Sequence, residues 1–399
     1  MPPCCRPRQL DQALHFLRDK TAIAGVGATR QGKLPGSTPI TLATEAFRRA
    51  LDDCGLHKDQ IDGLLTMPGT TSSEGTRNYL RFGETAGINP RYLCSKYMGG
   101  GTAGALLHEA ALAVNAGFAN YVACVFADTA ATGGSRFDEA ADWGDSWDIW
   151  GFMSAAANSA ITASRHMALY GTTSRQLGEI AVACRRHASL NPDAVMRTPI
   201  TIEDHQNSRW IVEPLHLQDC CLISDGAVCI IVTTRERALD LKQPLVTIAG
   251  MGQAYVTENL EREDWWYVPH QKLAVNDAYA MAGVGPRDID VCQLYSSTTT
   301  SPAACWCGSN MRAFARSARR APSSRADASS SAANCRSTPP AATCPSRTWR
   351  AGCTSSKGCG SCVAIAGRAR WAAPSCASSP AAGSHSTAPT RRSSSRASL

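Results

Sequence analysis

Reactive residue types are present in this chain, but few stand at spacings that make chemistry. Cys359-Gly-Ser-Cys362 and Cys305-Trp-Cys307 have the separation of metal-ligand or redox pairs, and Cys220-Cys221 is an adjacent pair ahead of an apolar run. The first two lie in a stretch too poor in large apolar residues to build a core, which argues against a site at either. Cys220-Cys221 reads as two small apolar residues packed ahead of a strand. Asp225-Gly226 reads as a turn feeding that strand in preference to a catalytic carboxylate. His166 falls in a helix-like stretch, residues 154–170, and reads as a satisfied histidine. Tyr295 closes an apolar run and, from the residues alone, is a core aromatic at a strand end. Trp147, Trp150, Trp265 and Trp266 fall in loop-like segments, where their rings either line a bulky pocket or bury at a dimer interface.

The composition breaks at residue 301. Residues 302–399 contain one acid, Asp327, no Tyr, and Leu only as the final residue; Val363 and Ile365 are the only β-branched aliphatics. Thirteen Arg and one Lys give this stretch a charge of +13, so the remainder carries −6 of the chain's overall +7. Taken at face value, an Arg/Ser/Ala/Pro-rich tail suggests a disordered nucleic-acid-binding arm. A shifted reading frame explains it better. Residues 335–349, read one nucleotide upstream, allow L-P-V-N-T-S-G-G-H-L-S-E-S-Y-M, and the decoded text continues through residue 369 as protein-like sequence. Residues 301–314 allow I-P-G-G-V-L-V-R-L-E-H-A-G-L, with the apolar period of a helix ending at Gly. The expected organisation is therefore an extension over 1–19, a first half over 20–240, the start of a second half over 241–300, and a frameshifted, disordered tail over 301–399. Residues 1–20 hold three Arg and no continuous apolar stretch, which excludes a signal peptide or membrane anchor there and points to the cytoplasm.

The elements that would position any chemistry are marked by an internal repeat. Thr21-Ala-Ile-Ala-Gly-Val-Gly27 is echoed by Val246-Thr-Ile-Ala-Gly-Met-Gly252, each a buried-strand pattern closing in Gly. Each is followed by a helix-like run, residues 42–51 and 273–282, with Gly55 and Gly283 where a C-cap belongs. A second strand follows each, at residues 60–65 and 288–294. Between the copies, residues 100–117 read as a helix apolar all round, which places it in a core, then a strand over 121–126, and a loop-to-strand run over 219–232 that closes the first half. Repeated strand–helix–strand units predict an α/β protein of two similar halves.

These stretches resemble the thiolase superfamily, specifically its lipid-transfer group related to sterol-carrier-protein thiolases. The resemblance rests on Ile23-Ala-Gly-Val-Gly27, Met98-Gly-Gly-Gly-Thr-Ala-Gly104, residues 219–232 and the repeat over 248–295. It implies two βαβαβαββ halves about a pseudo-dyad in five αβαβα layers, with the second half of this chain ending after its first strand–helix–strand. It implies an enzyme, a thiolase-type acyltransferase or a CoA-thioester aldolase, with an acyl-CoA thioester as substrate and no metal. It also implies a homodimer and, in the retro-aldolase branch, a small OB-fold partner with zinc-ribbon character; neither nucleic acid nor membrane is implied.

Carried over residue by residue, the thiolase nucleophile falls at Gly100, where no Cys stands, beside Met98, Gly99, Gly101 and Thr102 as substrate-binding positions. Cys94 lies too early and reads as a strand residue. Tyr295 occupies the position of one catalytic His, and the decoded tail places Tyr at the other. That pattern resembles the retro-aldolases that shorten steroid side chains as CoA thioesters, for which Tyr295 would be an acid or base. The missing Cys also permits a non-catalytic acyl-CoA-binding scaffold. Sequencing the gene across codons 290–310 is expected to show a one-base loss or two-base gain near codons 296–301; an uninterrupted frame there would end this reading.

Overall fold

The computed structural model describes residues 15–71, 77–98, 100–134, 155–254, 269–289 and 361–366. Strand β1 (Thr21–Ala28) leads to helix α1 (Pro39–Cys54). Thr38 caps α1 by accepting from the Thr41 amide, Pro39 occupies a position where no amide is needed, and Gly55 ends the helix at φ 77°. Strand β2 (Gly63–Met67), helix α2 (Asn78–Ala86) and strand β3 (Tyr92–Ser95) follow. Helix α3 (Thr102–Asn115) then runs into strand β4 (Tyr121–Thr129). Helices α4 (Ala155–Tyr170), α5 (Ser174–Ser189) and α6 (Ile202–Gln206), with the small hairpin β5 (Trp210–Val212) and β6 (Leu215–His216), form an excursion before strand β7 (Asp225–Thr234). The short helix α7 (Arg235–Ala238), strand β8 (Val246–Ala254), helix α8 (Pro269–Ala282) and strand β9 (Ser361–Ala366) complete the described elements.

The sheet runs β3-β2-β4-β7-β1-β8-β9. Strands β3, β2 and β4 are parallel to one another; β7 is antiparallel to β4 and β1, and β8 is antiparallel to β1. The first five strands in this order are one α/β half, and β8 with α8 opens the next. Both faces of the first sheet are covered. On one side α1 and α2 bury Ala46, Phe47, Ala50, Leu51 and Phe82 against Ala123, Val125, Cys229 and Ile231. On the other, α3 packs Leu106, Leu107, Ala110 and Val114 against Leu65, Val122, Ile230 and Val232, and that cluster extends to Ile248, Met251 and Met281 of the second half. The nearly all-apolar helix thus lies largely buried against the first sheet and the start of the second half, with Ala103, Leu112 and Asn115 exposed and Glu109 paired to Lys96.

The repeat is a packing device. A Cβ on Gly27 would lie 2.0 Å from the Ala46 carbonyl oxygen, and one on Gly25 would lie 2.5 Å from that of Ala50. In the second copy, Gly252 and Gly250 stand in the same relation to the carbonyls of Ala274 and Ala278, at 1.8 and 2.2 Å. Glycine in the strand and alanine at four-residue spacing in the helix let main chain approach main chain. The two copies are joined where β1 meets β8, by the pairs Ala22 with Thr247 and Ile23 with Val246. The Asp19 amide donates to the Ile248 carbonyl at 3.2 Å, and the Thr247 hydroxyl donates to Asp19 Oδ1 at 2.7 Å.

One expectation changes. The strand expected from residue 60 starts at Gly63, because Lys58–Gln60 forms a 3-10 turn whose entry His57 and Gln60 cap reciprocally. Of residues 301–399 the structure describes Ser361–Ala366 alone, as β9, antiparallel to β8. Its residues include Val363 and Ile365, the only β-branched aliphatics beyond residue 301, and their backbone pairs with that of β8. The strand expected over 288–294 lies largely outside the described residues.

Gly27→Ala is expected to cost at least about 3 kcal/mol in chemical denaturation, because backbone must move to admit the methyl group. Gly117→Ala, at φ 77° with open space around it, is expected to cost only about 1 kcal/mol of left-handed strain.

Candidate active site

The carboxyl ends of the parallel strands β2, β3 and β4 come together, and the chain leaving β3 turns directly into α3. In open α/β sheets this is where ligands bind. The Lys96 amide donates to the Thr66 carbonyl at 3.0 Å, carrying the alignment of β2 and β3 past the strand end. Asn78, opening α2, accepts from the Thr66 hydroxyl at 2.7 Å and donates from Nδ2 to the Met67 carbonyl at 3.1 Å. Asp128, fully buried at the end of β4, accepts from the amides and hydroxyls of Thr70 and Thr71 and from the Thr129 amide. It fixes the loop leaving β2 against the end of β4.

Within this crevice lie the positions carried over from the resemblance. The Met98 amide donates to Thr102 Oγ1 at 2.8 Å, and the Gly101 amide to the Met98 carbonyl at 3.2 Å, which ties Met98 to Gly101 and Thr102 at the head of α3. Gly101 is the N-cap and has no side chain to cap with. The positive end of the helix dipole therefore falls at Gly100–Thr102, the place for an anion or a developing oxyanion. Thr102 is fully buried. Gln253, near the end of β8, donates to Met98 Sδ at 3.2 Å, which brings the second half to the same mouth. Gly99 and Tyr295, like Trp147, Trp150, Trp265 and Trp266, lie outside the described residues.

Tyr97 is a neighbour that the residue pattern did not single out. Burial, with the Asp128 charge added to it, raises its phenol above the ordinary value, so near neutral pH it is a protonated hydroxyl that can donate or accept a hydrogen bond. The side chain keeps 42% of its surface exposed. Nothing in its sequence context marks it, since its proximity to Asp128 arises only when β3 and β4 flank β2.

The remaining candidates have structural roles. Cys94 sits inside β3 opposite Leu65. Burial and the Asp219 charge push the Cys220 thiol up to about 11, which keeps it a thiol and fits packing over redox chemistry. His166 is held by the Thr172 hydroxyl at 2.9 Å and packs on Tyr170. Asp225 is a clamp: Oδ1 accepts from the Ala131 and Thr132 amides at 2.8 and 3.0 Å, and Oδ2 from the Leu34 amide at 2.7 Å. Burial opposes its ionisation, yet these amides outweigh it and leave the carboxyl below its usual value. A second buried group, also unmarked in sequence, joins His205 Nε2 to Asp219 Oδ1 at 2.8 Å, while Asp219 Oδ2 accepts from the His216 amide. Both side chains are fully enclosed, so the pair fastens α6 to the hairpin and cannot meet a substrate. Among the described residues no cluster of three metal-ligating side chains occurs, and no helix is long and apolar enough to cross a membrane.

No protein-family model matches the chain. A steroid side-chain-cleaving aldolase of Thermomonospora curvata is 38% identical over 303 residues, covering 72% of this chain and 76% of the relative. A 17-hydroxy-3-oxo-4-pregnene-20-carboxyl-CoA lyase of Mycobacterium tuberculosis is 38% identical, covering 71% and 77%. An acetyl-CoA acetyltransferase of Methanothermobacter thermautotrophicus is 26% identical over 70% of this chain and 74% of its own. Among solved structures, an Ltp2-ChsH2(DUF35) aldolase superposes with a TM-score of 0.65 at 36% identity, covering 72% of this chain and 76% of that one. A monomeric SCP2-thiolase-like protein from Mycobacterium smegmatis, at 22% identity and a TM-score of 0.60, covers 72% of this chain and 62% of its own and shares the fold.

Asp225→Ala, which strands the amides of Leu34, Ala131 and Thr132 without an acceptor, is expected to cost about 3 kcal/mol in denaturant titration. Because the folded carboxyl ionises more readily than the unfolded one, its contribution is complete above the usual carboxylate range. It is lost as pH falls through the lower folded value, so wild type should lose stability below about pH 4 while Asp225→Asn lacks that component.

Proposed function

This chain belongs to the thiolase superfamily, in the group of sterol-carrier-protein thiolase-like enzymes, and on that premise we propose that its intact form cleaves a carbon–carbon bond of a β-hydroxyacyl-CoA by retro-aldol chemistry. One observation carries the choice of reaction. A thiolase needs a thiolate at the head of its buried helix, and the turn that opens α3, Met98-Gly-Gly-Gly-Thr102, has none. Cys94, the nearest thiol, is committed to β3. The two relatives at 38% identity carry the names aldolase and CoA lyase, which supports the same choice.

Retro-aldol cleavage needs no acyl-enzyme. A base removes the β-hydroxyl proton, the bond between Cα and Cβ breaks, a carbonyl forms at Cβ, and the electron pair passes into the thioester enolate. Protonation at Cα completes the step. The head of α3 at Gly100–Thr102 is suited to hold the enolate oxygen, with Met98, Gly99 and Gly101 lining the thioester. Tyr295 is assigned the acid or base role, and Tyr97 supports a protonated phenol at the same mouth. No metal is assigned to the site. A CoA thioester is the substrate, with the acyl group in the lipid or steroid class that the relatives' names suggest.

The same reading assigns a homodimer and a small OB-fold, zinc-ribbon partner. The name of the solved relative, which joins an aldolase to a DUF35 protein, supports the second. An edge strand β3 with exposed Leu93, beside exposed Phe118 stacked on Tyr92, supports the first. We further propose that the reading frame is lost near Thr300, that residues 301–399 are out of frame, and that the chain as written is inactive. The absent thiol also suits an acyl-CoA-binding scaffold without catalysis.

Frame-restored protein incubated with a β-hydroxyacyl-CoA separates these. Cleavage without added CoA is the expected result; cleavage only with CoA means thiolysis, and binding with neither means a scaffold. Tyr295→Phe in the restored protein is expected to lower kcat about 100-fold at unchanged fold.

A further inference from the structure

Strand β8 sends its side chains to two different places. Gly250 and Gly252 turn toward α8, whose Ala278 and Ala274 carbonyls fill the space a Cβ would take. Alternation along a strand puts the residues between and beyond them on the opposite face. Met251 is accordingly buried in the cluster that α3 makes with the first sheet. Gln253, one step further along the same face, runs past that cluster and is exposed. Its side chain ends at Met98, where Nε2 donates to Sδ at 3.2 Å. Met98 is itself tied to the head of α3 through both backbone groups, its amide to Thr102 Oγ1 and its carbonyl to the Gly101 amide. A carboxamide of the second half is thereby set beside the residues of the first half that open α3.

Two features make this contact unlike the hydrogen bonds that hold the fold. A thioether has no hydrogen to give, so the end of the carboxamide that faces Met98 is the NH2 and not the carbonyl. A thioether is also a weak acceptor beside an oxygen. The Asp128 and Asp225 carboxylates, by contrast, each collect several donors within buried junctions. An exposed donor resting on sulfur is aimed but lightly held, and an oxygen arriving beside it takes the hydrogen bond at little cost.

We infer, on the CoA-thioester reading given above, that the Gln253 carboxamide is a catalytic hydrogen-bond donor to the thioester oxygen, supplied by the second half beside the head of α3. As the bond between Cα and Cβ breaks, negative charge grows on that oxygen. A neutral amide placed there in advance binds the enolate more strongly than the ground-state carbonyl, which is the condition for speeding the step. The helix end supplies a fixed partial charge from one half, and Gln253 a directed N–H from the other. Nε2 lends a hydrogen bond and keeps its hydrogen, so the proton balance of the cleavage is unchanged. The carboxamide does not titrate, and it remains a donor from bound substrate through to enolate.

The test uses full-length protein with its frame restored, unmodified and as Gln253→Leu and Gln253→Glu. One readout needs no cleavage: infrared difference spectra of a bound acyl-CoA that lacks the β-hydroxyl and carries 13C at its thioester carbonyl. The carbonyl should stretch at lower frequency when bound to the unmodified protein than when free, and should return part of the way in Gln253→Leu. On a β-hydroxyacyl-CoA, Gln253→Leu should lower kcat about 100-fold with little change in KM. Gln253→Glu, which sets a carboxylate against the developing charge, should lower kcat further. An equal carbonyl frequency in the unmodified protein and Gln253→Leu would overturn the inference, as would a raised KM at unaltered kcat. A lower thermal midpoint in both variants with frequency and kcat unaltered would make the contact a tie between halves, and overturns it too. A frequency that moves with Gln253→Leu in protein that cleaves no β-hydroxyacyl-CoA keeps the donor and removes the retro-aldol reading alone.

Discussion

The approach of helix main chain onto glycine is the constraint that the rest of this structure depends on. At Gly25 and Gly27, and again at Gly250 and Gly252, a helix carbonyl occupies the space that any Cβ would need. Such contact is possible only if the strand gives up side chains and the helix presents alanine at one-turn spacing, as Ala46 and Ala50 and then Ala274 and Ala278 do. With α1 seated so closely on β1, the large residues of α1 reach past that strand to Cys229 and Ile231 of β7 and to Val125 of β4. The far face is left for α3. The layer order of the first half follows from this one contact, and its repetition founds the second.

The buried ionisable groups follow from the same architecture and mostly serve it. Asp128 and Asp225 each collect backbone amides from loops at strand ends, and a buried carboxylate surrounded by donors is a rigid junction. The core cysteines are driven toward the thiol form: Cys229 by burial and then by its neighbours Cys124 and Cys54, and Cys124 by burial alone. What the described residues offer at the head of α3 is a helix N-terminus with the Tyr97 phenol nearby, and it is on these that the enolate chemistry proposed above draws.

Most of the fold's outline could be read from residue pattern. The Ile-Ala-Gly repeat, the apolar run closing the first half and the helix apolar on every side mark β1, β8, β7 and α3, and the αL caps stand where Gly55 and Gly283 were expected. The excursion between β4 and β7 was barely legible. Its packing rests on a small cluster of Ala160, Ala163, Leu177 and Leu215, a His205–Asp219 contact and a two-strand hairpin, which draw on several short segments and carry no single period in sequence. Of the site, the positions 98–102 were legible as a Gly-rich turn before a buried helix, and Tyr97 was not, because its neighbour Asp128 is distant in the chain.

By itself the sequence determined periodicity, punctuation and charge: which segments are strands or helices, where glycine ends them, that two halves repeat, and that no cysteine stands at the head of α3. These are local properties, written in neighbouring residues. Tertiary structure alone decided that Asp225 and Asp128 are clamps and that Gln253 of the second half reaches Met98. Each of those joins residues far apart in the chain, and only the closed sheet, with its fixed strand order and spacing, brings their backbone and side-chain groups within hydrogen-bonding distance.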